Sequence, residues 1–152
     1  KIRVQATDEE SASLASIVHT ADPKTAPQLL KGFHAVEQNA WRWTMAKFAV
    51  ALRPPKDAAR KGAVLTLKFA VPDPVISRLK TVSLSAAVGG TPLSPETYTQ
   101  AGEFTYTREV DARLLTGEAV NVEFTVDKAI PPGEVDQREL AVIVTSVGFE
   151  AK

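Results

Sequence analysis

The chain has 152 residues, the usual size of one domain, and its eighteen basic residues cancel its eighteen acidic ones. A neutral surface argues against nucleic acid or an anionic membrane as the main partner. There is no cysteine, which excludes disulfides, thiol nucleophiles and cysteine-ligated metal sites. No apolar run approaches the roughly 20 residues that span a bilayer, so we expect no membrane insertion.

The first twenty residues carry weak strand signals. Residues 2–6 alternate between apolar and polar side chains, and residues 14–20 are a second short strand candidate. A short helix that is capped by Asp8 and runs through Ile17 is the alternative for this region. Next come a loop with two prolines and a further predicted strand, residues 21–27 and 28–34.

The stretch from Trp41 to Leu52 changes phase in its middle. Apolar side chains occupy odd positions at first and even positions later: Trp41, Trp43 and Met45, then Phe48, Val50 and Leu52. A slip of one residue near Ala46 and Lys47 sends the following side chains to the opposite face of a strand. The pattern predicts either a β-bulge or two strands joined at a corner. The two tryptophans therefore need not face the core that Phe48 faces.

The rest of the chain repeats the two-residue alternation of half-buried strands. Strands are predicted over residues 65–71, 82–88, 104–110, 120–126 and 140–149, with one helical turn near Asp73 and polar loops at 53–62, 91–100 and 130–139. We therefore predict an all-β fold, a two-sheet antiparallel sandwich of the jelly-roll or a related Greek-key type, with eight or nine strands and little helix. Serines and threonines of residues 81–87 and 105–107 would lie on a solvated sheet face suited to an extended polar ligand.

Several short motifs resemble those of a known group of domains. They are Gly32-Phe33-His34, Glu37, Trp41-Arg42-Trp43-Thr44 and, after a Pro-Pro loop, Asp136-Gln137-Arg138-Glu139-Leu140. Across residues 28–147 the chain resembles jelly-roll, carbohydrate-binding-module-like domains that are attached to bacterial glycosyltransferases and exported proteins. The resemblance implies a sandwich fold, an accessory role in glycan metabolism and a place outside the cytoplasm. Ala141 departs from the pattern, which has glycine there, and the resemblance defines no ligand-binding residues.

Five residues in one stretch are candidates for ligand binding. Trp41 and Trp43 share a strand face at a spacing of about 6.5 to 7 Å, so their rings could stack on a sugar chain. The alternative is that they are core residues, and we expect at least one of them to pack in the core. His34, Glu37 and Arg42 add a donor, an acceptor and a bidentate fork, the groups that orient sugar hydroxyls.

The same polar residues could instead stabilise the fold. Arg42 could pair with Glu37, Asp136 or Glu139 and so anchor the long loop that follows Ile130. We favour this ion-pair network. The same residues can also bind a ligand, because the two roles do not exclude each other. Its predicted members are Arg42, Glu37, Asp136, Arg138 and Glu139.

Catalysis and cofactors are not expected. Glu37 and Glu139 could act as an acid and a base, but no spacing selects that pair. His19 and His34 lack the ligand pattern of a transition-metal site. Calcium on loop carboxylates such as Asp127, Glu134 and Asp136 is conceivable, yet the EF-hand pattern is absent.

The sequence therefore favours a non-catalytic accessory module that binds carbohydrate. The alternative is a structural or protein-interaction sandwich with no small-molecule ligand. We expect residues 1–152 to form one domain of a larger or processed protein, with neighbouring domains as further partners, because the chain begins at Lys1.

Overall fold

A computed structural model describes residues 14–152 of the chain. It contains ten strands and two short α-helices. The strands are β1 (Ile17–His19), β2 (Leu29–Glu37), β3 (Trp41–Leu52), β4 (Ala63–Val71), β5 (Val82–Val88), β6 (Thr91–Pro92), β7 (Glu96–Tyr98), β8 (Gly102–Val110), β9 (Val120–Val126) and β10 (Ile143–Ala151). The helices are α1 (Ala58–Lys61) and α2 (Asp73–Leu79).

The prediction of an all-β sandwich is confirmed, with small differences. At residues 14–20 the strand alternative is correct, while the strand predicted at 2–6 lies outside the described residues. There are ten strands rather than eight or nine because the short β6 and β7 lie within the predicted loop 91–100. Helix α1 lies in the predicted polar loop 53–62. None of the described helices is long and apolar enough to cross a membrane.

All strand pairs are antiparallel, and the strands follow one hydrogen-bonded path in the order β6-β5-β9-β3-β10-β4-β8. Off this path β1 pairs with β10, β2 with β3, and β7 with β5. The path curls so that β8, β4 and β10 form one layer and β9 and β5 the other. Strand β3 belongs to both layers.

The predicted phase slip marks the place where β3 changes layers. Its first part pairs with β10 through Arg42 and Trp43, and its second part, Lys47–Leu52, pairs with β9. The register between β2 and β3 is irregular over the same stretch. β3 is therefore one continuous strand with an irregular register at the predicted place, where it passes from one sheet to the other. The predicted change of buried face does not occur, because even positions are buried on both sides: Thr44, Phe48, Val50 and Leu52 are fully buried, while Met45 is 39% exposed.

The core lies between the two layers. Phe48 of β3 stacks on Phe124 of β9 with ring centroids 5.0 Å apart, and Phe33 of β2 meets Phe48 edge-on at 5.3 Å. Elsewhere Tyr98 of β7 packs against Phe69 of β4 at 5.2 Å, which joins the layers. Each fully buried side chain of this size stabilises the fold by about 1.5 to 3 kcal/mol. Burial, with a smaller contribution from the nearby Glu96 carboxylate, raises the pKa of Tyr98 to about 12.

Candidate functional site

A groove of about 500 Å³ crosses the outer face of the β8-β4-β10 layer and reaches β3. The two-residue period of the strands creates this face. In β4, Leu65, Leu67 and Phe69 are buried in the core, so Lys68 and Ala70 point outward. The groove is lined by Trp41, Lys68, Phe69, Ala70, Glu103, Phe104, Thr105, Ile143 and Thr145.

Trp41 is the large aromatic side chain at the β3 end of the groove. It is partly buried, and its indole nitrogen is shielded from solvent with no hydrogen-bond partner among the described residues. Because that nitrogen is buried, the part of the ring that faces the groove is carbon. An exposed apolar ring face can stack on the C–H groups of a sugar ring.

The polar groups of the groove are balanced in charge. Lys68 and Glu103 contribute one cation and one anion, and neither side chain forms an ion pair within residues 14–152. Thr105 is exposed, and the Thr145 hydroxyl donates to the Lys68 carbonyl at 3.2 Å. An apolar ring beside a few donors and acceptors suits an uncharged polar ligand.

Trp43 does not share the position of Trp41. It pairs with Ile143 of β10 in the ladder and packs against the core cluster, and it does not line the groove. We expected at least one indole to pack against the core, and Trp43 does so. Trp41 is therefore the one tryptophan among the groove-lining residues, and sugar stacking by both rings stays a prediction.

Arg42 binds backbone rather than carboxylates. Its Nε donates to the Thr20 carbonyl at 2.7 Å, and one terminal nitrogen donates to the His34 carbonyl at 3.0 Å. The prediction that Arg42 pairs with Glu37, Asp136 or Glu139 is wrong. Arg42 pairs in the ladder with the buried Val144, on the side of the sheet where the Thr20 hydroxyl also binds the Val144 carbonyl at 2.7 Å.

Glu139 also binds backbone. Its carboxylate accepts a hydrogen bond from the Ala46 N–H at 2.7 Å, at the point where β3 leaves one layer for the other. The N–H groups of a strand that changes partners need another acceptor, and Glu139 supplies one. The Glu139 carbonyl contacts His34 Nε2 at 2.7 Å. Glu139 is thus outside the ion-pair network in which it was predicted.

Three of the predicted network residues do form a cluster. Arg138 donates to the Glu37 carboxylate at 2.9 Å and to the Asp136 carboxylate at 2.8 Å. The hydrogen bond from Arg138 holds the pKa of Asp136 at about 2, and both carboxylates raise the pKa of Arg138. This triad joins the β2 end to the loop before β10, so these groups already have partners.

Of the five residues predicted to bind ligand, only Trp41 lines the groove. Residues Lys68, Glu103, Thr105 and Thr145 were missed as site residues because they lie on three strands that are far apart in sequence. The sequence did place Thr105 on a solvated sheet face, and it is exposed there. Only the strand register brings these side chains beside Trp41.

The loop carboxylates do not assemble into a metal site in the described part of the chain. Within residues 14–152 there is no group of three or more histidine, aspartate or glutamate side chains that could hold a metal ion. The Asp127 carboxylate accepts from the Ser83 N–H at 2.7 Å, and both oxygens of Asp136 are bound by Arg138.

Comparisons with known proteins find similarity in structure alone. No protein family matches the sequence, and no curated protein matches it. A family 35 carbohydrate-binding module from Clostridium thermocellum aligns with a TM-score of 0.50 at 10% identity, over 89% of this chain and 98% of that module. The chain has the fold of a carbohydrate-binding module. The predicted resemblance is thereby confirmed for the fold.

Two further solved structures align less closely. One is the CBM36-1 domain of a multidomain xylanase from the hindgut metagenome of Trinervitermes trinervoides, with a TM-score of 0.47 at 12% identity, over 90% of this chain and 96% of that domain. The other is a CBM36 module in complex with calcium and xylotriose, with a TM-score of 0.47 at 8% identity, over 88% of this chain and 98% of that module.

Proposed function

We propose that this chain is a non-catalytic accessory module that binds carbohydrate in the groove beside Trp41. The observation that carries the proposal is the position of Trp41, a half-buried indole at the end of a groove of about 500 Å³. A cleft of this size falls within the range of small-molecule sites. The fold of a carbohydrate-binding module supports the same function.

The contents of the groove favour binding over catalysis. Glycoside hydrolysis generally uses two carboxylates on either side of the scissile bond. Glu103 is the one carboxylate among the groove-lining residues. Glu37 and Glu139, the pair considered from the sequence, bind Arg138 and the Ala46 N–H instead. The proposed role therefore requires no acid and base pair.

Each side of the groove has a distinct task in the proposed complex. The Trp41 ring would stack on the apolar face of one sugar unit and remove both surfaces from water. Lys68 and Thr105 would donate hydrogen bonds to sugar hydroxyls, and Glu103 and the Thr145 hydroxyl oxygen would accept them. Because the opposite charges balance, the groove has little preference for an anionic sugar over a neutral one.

Calorimetric titration with a panel of neutral xylo-, cello-, manno- and galacto-oligosaccharides tests the proposal. We expect at least one series to bind, and Trp41→Ala to weaken that binding by more than tenfold, since a stacked ring contributes about 0.5 to 1.5 kcal/mol in addition to its buried apolar area. Leu30→Ala is the matched control, because Leu30 is 47% exposed on β2 and does not line the groove. Equal losses in both variants, or no binding at millimolar concentration, would refute the proposal.

We also propose that the module works within a larger exported protein that carries a catalytic domain. The role of an accessory module requires such a partner, and the family resemblance implies it. Reading the gene beyond both ends of the 152 residues provides the test. An open reading frame with no further domain would contradict this part of the proposal without affecting the groove.

A further inference from the structure

A second cleft, of about 150 Å³, opens on the same outer face beside the groove. It lies above β10, between β1 and β4. Thr66 and Ser146 form its floor, and Ile17 and His19 of β1 form one wall. Lys68 lines both the groove and this cleft, so the two are adjacent along the sheet. Their residues on β10 run from Ile143 to Glu150, a distance of roughly 20 Å along an extended strand.

The short strand β1 creates this cleft by leaning over the outer face of β10. Ile17 pairs with Gly148 of β10. A Cβ atom on Gly148 would lie 2.5 Å from the Ile17 Cα and 2.6 Å from the Ser16 carbonyl oxygen. A glycine at this position is what allows the backbone of β1 to approach so closely. Strand β1 therefore forms a raised edge on the outer face, and the cleft lies beside that edge.

The floor of the cleft contains a hydroxyl group without a partner. Thr66 is 7% exposed, and its Oγ1 has no hydrogen-bond partner among the described residues. Ser146 lines the same cleft and is 8% exposed. Buried polar groups in native proteins are nearly always satisfied by protein, water or a ligand. The Thr66 hydroxyl on the cleft floor therefore calls for a polar occupant.

The charges around the cleft indicate which occupant it suits. Lys68 and Glu150 line it with one positive and one negative charge, and Glu103 adds a second negative charge in the neighbouring groove. A phosphate or a carboxylate would meet more negative than positive charge along this face. Hydroxyls that both donate and accept fit the mixed set of threonine, serine, lysine and glutamate.

We propose that the second cleft is a further subsite for the carbohydrate bound beside Trp41, so that the outer face holds an extended neutral glycan chain rather than a single sugar or a chain end. This inference rests on the proposed function. One unit would stack on Trp41, and a unit further along the chain would contact Thr66 and Ser146, with Lys68 between them.

The test compares chain lengths in the wild type, in Trp41→Ala and in two variants at and beside the second cleft. Disaccharides and hexasaccharides of the xylan, glucan and galactan series are titrated by calorimetry. Thr66→Val keeps the side-chain shape and removes the hydroxyl. Thr107→Val is the matched control. Thr107 pairs with Thr66 across β4 and β8 and is exposed, but it lines neither the groove nor the second cleft. Melting temperatures verify that both variants fold.

We expect the hexasaccharide to bind the wild type more tightly than the disaccharide does. We expect Thr66→Val to weaken hexasaccharide binding by roughly fivefold, as for the loss of one hydrogen bond, and to leave disaccharide binding unchanged. Thr107→Val should change neither.

Three results would overturn the second subsite. Equal affinity for both lengths, with Trp41→Ala still weakening both, would leave the proposed function standing and remove the extension. Length dependence that Thr66→Val does not alter would show that the cleft holds only water. The absence of binding at either length would remove the proposed function and the subsite together.

Discussion

Replacing Gly32 by alanine tests how β2 lies against the corner of β3. Gly32 has a φ of +82°, and an added Cβ would lie 2.1 Å from the Lys47 carbonyl oxygen and 2.6 Å from the Phe48 Cα. Both of those atoms belong to backbone, which cannot rotate away. The substitution therefore forces β2 away from the bulged part of β3, beside the buried Phe48 ring.

The loss of folding free energy in Gly32→Ala has two parts, one conformational and one steric. A second glycine of the chain allows them to be measured separately. The left-handed conformation costs alanine about 1 to 2 kcal/mol. Overpacking against fixed atoms adds about 1 to 3 kcal/mol. Gly90→Ala is the control, since Gly90 has a φ of +89° and nothing within 4 Å of the added Cβ. It should cost the conformational part only.

Urea and thermal unfolding measure the two variants. For a chain of this size 1 kcal/mol lowers the melting temperature by about 2 to 4 °C, so Gly90→Ala should lose about 2 to 8 °C and Gly32→Ala about 4 to 20 °C. Gly32→Ala must be the more damaging of the pair. Equal losses would refute the close approach of β2 to the backbone of β3.

Two predictions concern the charged residues. A carboxyl ¹³C NMR titration should give Asp136 a pKa of about 2, and Arg138→Gln should return it towards the ordinary aspartate range near 4. Because the folded-state pKa is depressed, the stability that this carboxylate contributes is complete above about pH 4 and is lost as the pH falls towards 2. Arg42→Ala removes two hydrogen bonds from a charged donor to backbone carbonyls and should lower stability by about 2 kcal/mol. An unchanged melting temperature would remove that structural role.

The sequence predicts the fold well because its signals are local. Alternation at residues 120–126 and 82–88 predicts strands that the structure contains with the same bounds. The phase slip near Ala46 coincides with the place where β3 changes its partner from β10 to β9, although the even positions of β3 stay buried on both sides of it. Helix α1 was missed since it is only four residues long and carries no apolar stripe.

The candidate site was predicted only in part because it depends on register. Trp41 stood out by residue type, but Lys68, Thr105 and Thr145 become its neighbours only when β4, β8 and β10 pair. Proximity in sequence grouped Trp41 with Arg42, whose side chain lies on the other face of the strand and binds backbone. Which side chains share a face across four strands cannot be read from spacing within one of them.

The central claim is that carbohydrate binds on the outer face beside Trp41. The most direct test follows the indole and backbone amide signals by ¹H–¹⁵N NMR as a binding oligosaccharide is added. We expect the Trp41 indole and the amides of Thr105 and Thr145 to shift most, and the core-packed Trp43 indole to shift less. Shifts confined to β2 and the loop around Arg138, with Trp41 unchanged, would contradict the claim.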